Sequence, residues 1–368
     1  MKLVMTLLAR DEADIVEEWL AFHLNAGADF VVATDNRSTD RTTEVLERYA
    51  RAGHVHLIRE PGVDLRQDEW VTRMARLAAT DFGADWVINS DADEFWWPRG
   101  ASLRDMLAAV PPRYGTVGAF LRMFVPRPAG EGSFAERMTA RFSALAPIND
   151  PASLYKPIRK IVHRAHPEIR VTRGNHALVD SPFAPLRGWY PLEVFHFPLR
   201  SHEQCAHKAE LQGNAFEKYV DRAPTAYHAN MFAALRSGTI DRYYDSLVIG
   251  DEEVARGVGE GTLLIDTRLR DALRQLRASE DSYAPVGETG PLSFPLPSLV
   301  EDAAYAVEAA VLGEADVVRL QRRLDTLERR LQSLELRLPN RMYRKLSSSA
   351  KRVLGRRESQ ADVSKARG

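Results

Sequence analysis

Trp86-Val87-Ile88-Asn89-Ser90-Asp91-Ala92-Asp93-Glu94 decides how the chain is read, because an apolar run that fits a buried strand delivers a cluster of acids at its carboxyl end. Ligands of open α/β sheets bind at that edge. Alternate residues of an extended backbone point to one side, so Asp91 and Asp93 are expected to face one cavity. Two carboxylates so close repel each other unless a divalent cation sits beside them. Mg²⁺ or Mn²⁺ commonly takes one or two carboxylates plus phosphate oxygens from a substrate. The pair therefore reads as a site for Mn or Mg facing a diphosphate, with a solvated acidic turn as the plainer alternative.

Upstream of this stretch, short apolar runs alternate with longer amphipathic ones, the signature of strands joined by crossover helices in a mostly parallel sheet. Strands are expected at Leu3 to Leu8, Phe30 to Thr34, Val55 to Ile58 and Trp86 to Asn89. Helices are expected at Asp14 to Asn25, ended by Gly27, from a Ser38-Thr39-Asp40 cap through Tyr49, and at Glu69 to Thr80. Past Pro98 the pattern is mixed, with a helix at Ser102 to Val110 and strands near Thr116 to Phe124, Lys156 to His163 and Leu192 to Phe197. Glu203 to Tyr219 and Tyr227 to Val248 read as helices, and the Pro/Gly-rich stretch Ala284 to Pro297 as a linker.

Val317, Leu320, Leu324, Leu327, Leu331, Leu334 and Leu338 follow alternating steps of three and four, which is a heptad seam and implies a homo-oligomer. One amphipathic helix folded back on the domain is the other reading. The tail after Pro339 carries Arg341, Arg344, Lys345, Lys351, Arg352, Arg356 and Arg357, suited to peripheral contact with an anionic membrane or to plain solvation. The expected organisation is a catalytic α/β domain over 1–248, a helical segment and linker over 249–312, a coiled coil over 313–340 and a basic tail over 341–368.

The 368 residues are 45% hydrophobic and 27% charged, ordinary values for a chain built around a buried core. A formal net charge of -1 gives no overall attraction to nucleic acid. Cys205 is the only cysteine, which rules out an intrachain disulfide and a four-cysteine zinc site and fits a reducing, cytoplasmic setting. The apolar start is cut short by Arg10-Asp11-Glu12, so it reads as a strand and not a signal peptide.

Arg10-Asp11-Glu12 ends the first strand and Asp35-Asn36-Arg37-Ser38-Thr39-Asp40 follows the second, so three acidic turns converge on one crevice. In this order, with Asn89 to Phe95, they resemble glycosyltransferase family 2 and its relatives over roughly the first 100 residues. The resemblance implies the GT-A fold, a single nucleotide-binding α/β sheet flanked by helices, here carrying a C-terminal helical or coiled-coil extension. It implies nucleoside contacts for Arg10, Asp11 and Asp35, and metal and sugar-diphosphate contacts for Asp91 and Asp93. The chain departs from the family's usual Asp-Asp-Gly-Ser or Asp-Asn-Gly-Ser by placing Arg37 where glycine reaches positive φ cheaply. The Gln-x-x-Arg-Trp motif of processive synthases is missing, which favours one sugar per encounter.

The expected reaction is an inverting, metal-dependent transfer from a nucleoside diphosphate sugar to a carbohydrate or lipid-linked acceptor. It needs a base for the acceptor hydroxyl. His176, Glu193, His196 and Glu203 lie where the acceptor side should form, and His196 is also a candidate metal ligand, though a lone His on a strand is more often structural. Arg200 and Lys208 are candidate phosphate contacts, as are Lys156, Arg159 and Lys160, and Trp96 and Trp97 could stack on a sugar ring or pack the core. A haloacid-dehalogenase-type phosphohydrolase would carry its aspartate pair on the first strand, and a nicotinamide dehydrogenase would need a Gly-rich turn where Arg10-Asp11-Glu12 stands. A catalytically silent scaffold assembled by the coiled coil is the third alternative.

Overall fold

The computed structural model describes residues 1–62, 66–143, 159–218, 226–279 and 282–310. Residues 1–308 form one unit. The heptads, the basic tail and Lys156 lie outside the described residues.

The chain opens with β1 (Leu3–Ala9), α1 (Val16–Asn25), β2 (Phe30–Asp35), α2 (Thr42–Arg51), β3 (Val55–Arg59), α3 (Gln67–Thr80) and β4 (Trp86–Asp91). It continues with β5 (Glu94–Pro98), α4 (Leu103–Ala108), β6 (Tyr114–Met123), α5 (Phe134–Arg137), β7 (Ala140–Phe142), β8 (Arg159–Arg164), a 3₁₀ turn at Arg173–Asn175, β9 (Ala184–Pro185) and β10 (Leu192–His196). Then come α6 (His202–Lys218), α7 (Ala226–Arg236), α8 (Ile240–Asp245), α9 (Asp251–Gly259), β11 (Leu263–Ile265), α10 (Arg268–Leu276), β12 (Arg277–Ser279) and β13 (Ser282–Tyr283). A final helical stretch covers 299–310.

The main sheet runs β3-β2-β1-β4-β8-β6-β10-β5. β1 to β4 are parallel, β8 is antiparallel to both of its neighbours, β6 and β10 are parallel, and β5 pairs antiparallel with β10. This is the α/β, GT-A-like architecture expected, with a mostly parallel sheet between helices. Period-two alternation feeds both faces: Leu3, Met5 and Leu7 enter the core on the α1 side, while Val4 packs with Val71, Met74 and Ala78 of α3. Burial on both faces is why these strands read as continuous apolar runs. Gly27 holds φ 115 after α1, where a side chain would strain the backbone and its Cβ would come within 3.0 Å of Ser102 Cβ.

Several expectations are corrected. The stretch read as one helix over Tyr227 to Val248 is two, α7 and α8, parted where Gly238 takes φ 68. The Ala284 to Pro297 stretch is no free linker: Leu292 and Phe294 are buried in the main core, and Phe294 meets Trp97 edge-on at 5.1 Å. Trp96 and Trp97 are buried too, Trp97 stacked on Phe195 at 5.4 Å and on Phe22 at 5.7 Å, so neither offers a face to a sugar. Their pairing with β10 turns them into the sheet interior.

Candidate active site

The β4–β5 turn is fixed from several sides. The Trp19 indole N–H donates to the Glu94 carbonyl oxygen at 2.9 Å and to Ser90 Oγ at 3.2 Å. His23, one turn further along α1, accepts the Trp96 amide at Nε2 (2.9 Å) and donates from Nδ1 to the Trp19 carbonyl oxygen (2.8 Å). That pairing fixes its tautomer, and burial pushes its pKa down to about 3, so it stays neutral. Asn89 ties β4 to its neighbours by accepting from Thr6 Oγ1 at 2.8 Å and donating to His163 Nε2 at 2.9 Å.

Asp91 and Asp93 do not lie side by side. β4 ends at Asp91 and residues 92–93 form a turn, so the alternation expected of an extended chain fails there. Asp91 accepts from Gln67 Nε2 at 3.0 Å, Asn175 Nδ2 at 3.4 Å and Lys160 Nζ at 3.1 Å. Asp93 turns the other way, to Lys208 Nζ at 2.8 Å and His196 Nε2 at 3.4 Å. Burial disfavours its charge, but Lys208, His196 and Arg200 outweigh that and hold its carboxyl well below the usual carboxylate range. Asp93, Glu94 and His196 each offer a ligand atom, and these atoms lie within 4.8 Å of one another. Of the residues expected to hold a metal, Asp93 and His196 fall in this group, which among the described residues also includes Glu94 and leaves Asp91 out. Glu94 is buried against Lys160 Nζ at 2.6 Å, and burial, aided by Asp91 and Asp93, still pushes its pKa up to about 8. Two carboxylates and one imidazole this close are a donor set that a divalent cation fits, with Glu94 giving up its proton to bind because a cation takes the carboxylate.

The first acidic turn reaches the same place through α6. His207 Nε2 lies 2.8 Å from Asp11 Oδ2, and the next residue, Lys208, holds Asp93. Asp11, at φ 53, also accepts from the Thr39 amide at 2.5 Å. Asp35 is buried, and Oδ1 accepts from the Ser38 amide and hydroxyl at 3.0 and 2.6 Å while Oδ2 accepts from Thr43 Oγ1 at 2.5 Å. Ser38 thus serves Asp35, and it is Asp40 Oδ1 that accepts the Thr42 amide at the start of α2, at 2.9 Å. Arg37 does take φ 60, so the turn keeps its shape at the cost of backbone strain. Arg10 Nη1 lies 3.4 Å from Asn36 Oδ1, and Asn36 Nδ2 donates to the Gly62 carbonyl oxygen at 2.8 Å. Gly62 borders a cavity of about 410 Å³ lined also by Glu60, Arg66, Glu69, Trp70 and Arg73.

The remaining candidates divide. Lys208 and His196 are in the site, and His176 flanks it: it is exposed, follows Asn175, and its Nδ1 donates to the Arg159 carbonyl oxygen at 3.0 Å. Arg200 is buried with its guanidinium committed to Glu12 at 2.5 Å, Asp14 at 2.6 Å and the Phe197 carbonyl oxygen at 3.2 Å, so it braces the rim and has no free edge for phosphate. Glu193 is not with the others. Its two oxygens accept from Arg122 at 2.8 Å and Arg268 at 3.0 Å in a separate buried ion cluster with Asp266 and Glu308. Burial opposes its charge, yet the arginines bring its pKa down to about 2, which removes it as a base.

That depression carries a pH signature. Its folded pKa lies below the ordinary value of 4.5, so the stabilisation is present above pH 4.5 and is lost as pH falls from 4.5 toward 2. The wild-type unfolding midpoint is expected to drop through that window, and Glu193→Gln to show a shallower fall there. Equal slopes in thermal melts from pH 5 to 2 would mean the pair contributes nothing.

Sequence reasoning passed over Glu94 as a ligand, and His207 and Gln67 altogether. Lys160 carried a readable signal, since it shares a strand face with the buried Val162. His207 had only its place beside Lys208.

An acidic rim thus lies at the carboxyl ends of the parallel strands, against a helix bearing His207 and Lys208. Residues 5–137 match the profile of glycosyltransferase family 92, a segment holding Asp11, Asp35, Asp91, Asp93 and Glu94. The chain is a glycosyltransferase in class, and the matching family is 92 where the sequence motifs had pointed to family 2. No curated protein matches significantly. Among solved structures it is similar to S. aureus TarS in complex with UDP, at 12% identity over 81% of this chain and 100% of that one, TM-score 0.31. It is also similar to glucosyl-3-phosphoglycerate synthase from Mycobacterium tuberculosis in complex with Mn²⁺, UDP and glucosyl-3-phosphoglycerate, at 18% identity over 45% of this chain and 57% of that one, TM-score 0.25. No described helix is long and apolar enough to cross a membrane.

Proposed function

We propose that the protein transfers one sugar, with inversion, from a nucleoside diphosphate sugar to a carbohydrate or lipid-linked acceptor, using a divalent cation held by Asp93, Glu94 and His196. The convergence of those three ligand atoms within 4.8 Å, at the rim where α6 also grips Asp11, is the observation that carries the reading. Two carboxylates and an imidazole suit manganese better than magnesium, which favours an all-oxygen shell. Bound there, the cation would supply charge neutralisation for the departing diphosphate.

Lys208 is within reach of the same diphosphate once its ammonium leaves Asp93. Asp91, oriented by Gln67 and Asn175, suits a ribose or sugar hydroxyl. Arg10, Asp11 and the turn shaped by Asp35 bound the nucleoside side, next to the cavity bordered by Gly62 and Trp70. His176 is a candidate base, because the hydrogen bond at Nδ1 leaves Nε2 as an acceptor for a hydroxyl proton, but burial and Lys160 push its pKa down to about 4 and make it a weak one. Thermal-shift titration of the full chain with a panel of nucleoside diphosphates tests this. Ligand at about 100 times its Kd adds about 2.7 kcal/mol. The expected result is a rise of several degrees for one base only, and only with Mn²⁺. Equal stabilisation by every nucleotide with or without the cation would overturn it.

A further inference from the structure

The two aspartates on the nucleoside side are already engaged by the protein. Asp35 accepts from Ser38 at one oxygen and from Thr43 at the other, and Asp11 accepts from Thr39 at one oxygen with His207 against the other. These carboxylates hold their turns together, so the reading of a base falls to other side chains. The cavity beside Gly62 supplies them. α3 joins it to the acidic rim, because Gln67 donates to Asp91 at 3.0 Å while Arg66, Glu69, Trp70 and Arg73 line the cavity. From the β2 side, Asn36 Nδ2 holds the Gly62 carbonyl oxygen at 2.8 Å. A volume of about 410 Å³ falls among small-molecule pockets, and Trp70 adds an aromatic ring to the wall.

The polar lining consists of two arginine–glutamate pairs. Arg73 Nη2 donates to Glu60 Oε2 at 3.0 Å, and Arg66 Nη1 to Glu69 Oε2 at 3.4 Å. Glu60 is the more enclosed carboxylate, 17% exposed against 64% for Glu69. An arginine beside a carboxylate presents, in order, one donor N–H and two acceptor oxygens. The edge that complements it offers one acceptor and then two donors. Guanine has that edge in O6, N1–H and the 2-amino group. Uracil offers acceptor, donor, acceptor, so one of its carbonyl oxygens meets a carboxylate oxygen whichever way round it lies. Adenine and cytosine bring a ring-nitrogen lone pair against the carboxylate in either direction. Both pairs lining the cavity carry the same pattern, so the choice of base does not depend on which of them meets it.

We infer that this cavity takes the guanine base of the donor, with Glu60 accepting from N1–H and the 2-amino group and Arg73 donating to O6, so that the donor is a GDP-linked sugar. The inference rests on the transfer reading above and adds the identity of the nucleotide. Hydrogen bonds to ionised groups are the stronger ones, and a site built to pair with a group rejects the analogue that lacks it.

Calorimetric titration of the full chain in Mn²⁺ with GDP, UDP, ADP, CDP and IDP tests it. GDP is expected to bind at least about tenfold more tightly than UDP, ADP or CDP, and roughly tenfold more tightly than IDP, which lacks only the 2-amino group. Glu60→Gln keeps the shape of the side chain but leaves one acceptor in place of two. It is expected to weaken GDP about tenfold and to close the gap between GDP and IDP, while the enhancement by Mn²⁺ persists. Tighter binding of UDP, ADP or CDP than of GDP would overturn the guanine assignment and leave the transfer reading standing. A preference for GDP over IDP that survives Glu60→Gln would place the base outside this cavity. Binding of none of the five nucleotides would overturn both readings together.

Discussion

Replacing Asp93 with asparagine is expected to lower kcat/KM for sugar transfer roughly 10²- to 10³-fold, the several kcal/mol a cation contributes at a departing diphosphate. The change is isosteric, and the Asp93 carbonyl oxygen still accepts the Phe197 amide at 2.9 Å, so the turn should persist. What is lost is the charge that His196 and Lys208 face at 3.4 and 2.8 Å. Steady-state kinetics across a Mn²⁺ titration checks this. The loss should appear at every Mn²⁺ concentration, and a variant matching wild type at saturating Mn²⁺ would show that Asp93 only tunes affinity.

Arg200→Met is expected to cost about 3 kcal/mol of stability, because removing one partner of a buried pair leaves the others uncompensated. Glu12, whose pKa burial already pushes up to about 7 despite Arg200, would take up a proton more readily, and Asp14, half exposed, would partly rehydrate. This places the expected cost at the lower end of the range for broken buried pairs. Urea unfolding of the variant measures it. A variant as stable as wild type but with a raised donor KM would return Arg200 to the phosphate-contact role that the sequence suggested.

The parallel half of the fold was legible because β1, β2 and β4 are buried on both faces and the crossover helices carry the complementary period. The convergence of the turns after β1, β2 and β4 followed from that parallel order. The antiparallel half was less so: β5 pairs with β10 across a separation of about a hundred residues, which no local pattern encodes. The aim of Asp91 and Asp93 failed for a local reason, since a two-residue turn breaks the alternation on which the reading rested. Glu193 and Arg200 look in sequence like any polar residue near a site. Only the packing of Arg122, Arg268, Glu12 and Asp14 around them shows that they brace structure. His207 was hidden because its partner, Asp11, is almost two hundred positions away.

Calorimetric titration of a nucleoside diphosphate into the full chain, with Mn²⁺ and with chelator, in wild type and Asp93→Asn, bears most directly on whether Asp93, Glu94 and His196 form a cation-assisted diphosphate site. Binding should be at least tenfold tighter with Mn²⁺ in wild type, and that enhancement should vanish in the variant. Nucleotide affinity that is the same in both proteins, with or without the cation, would contradict it.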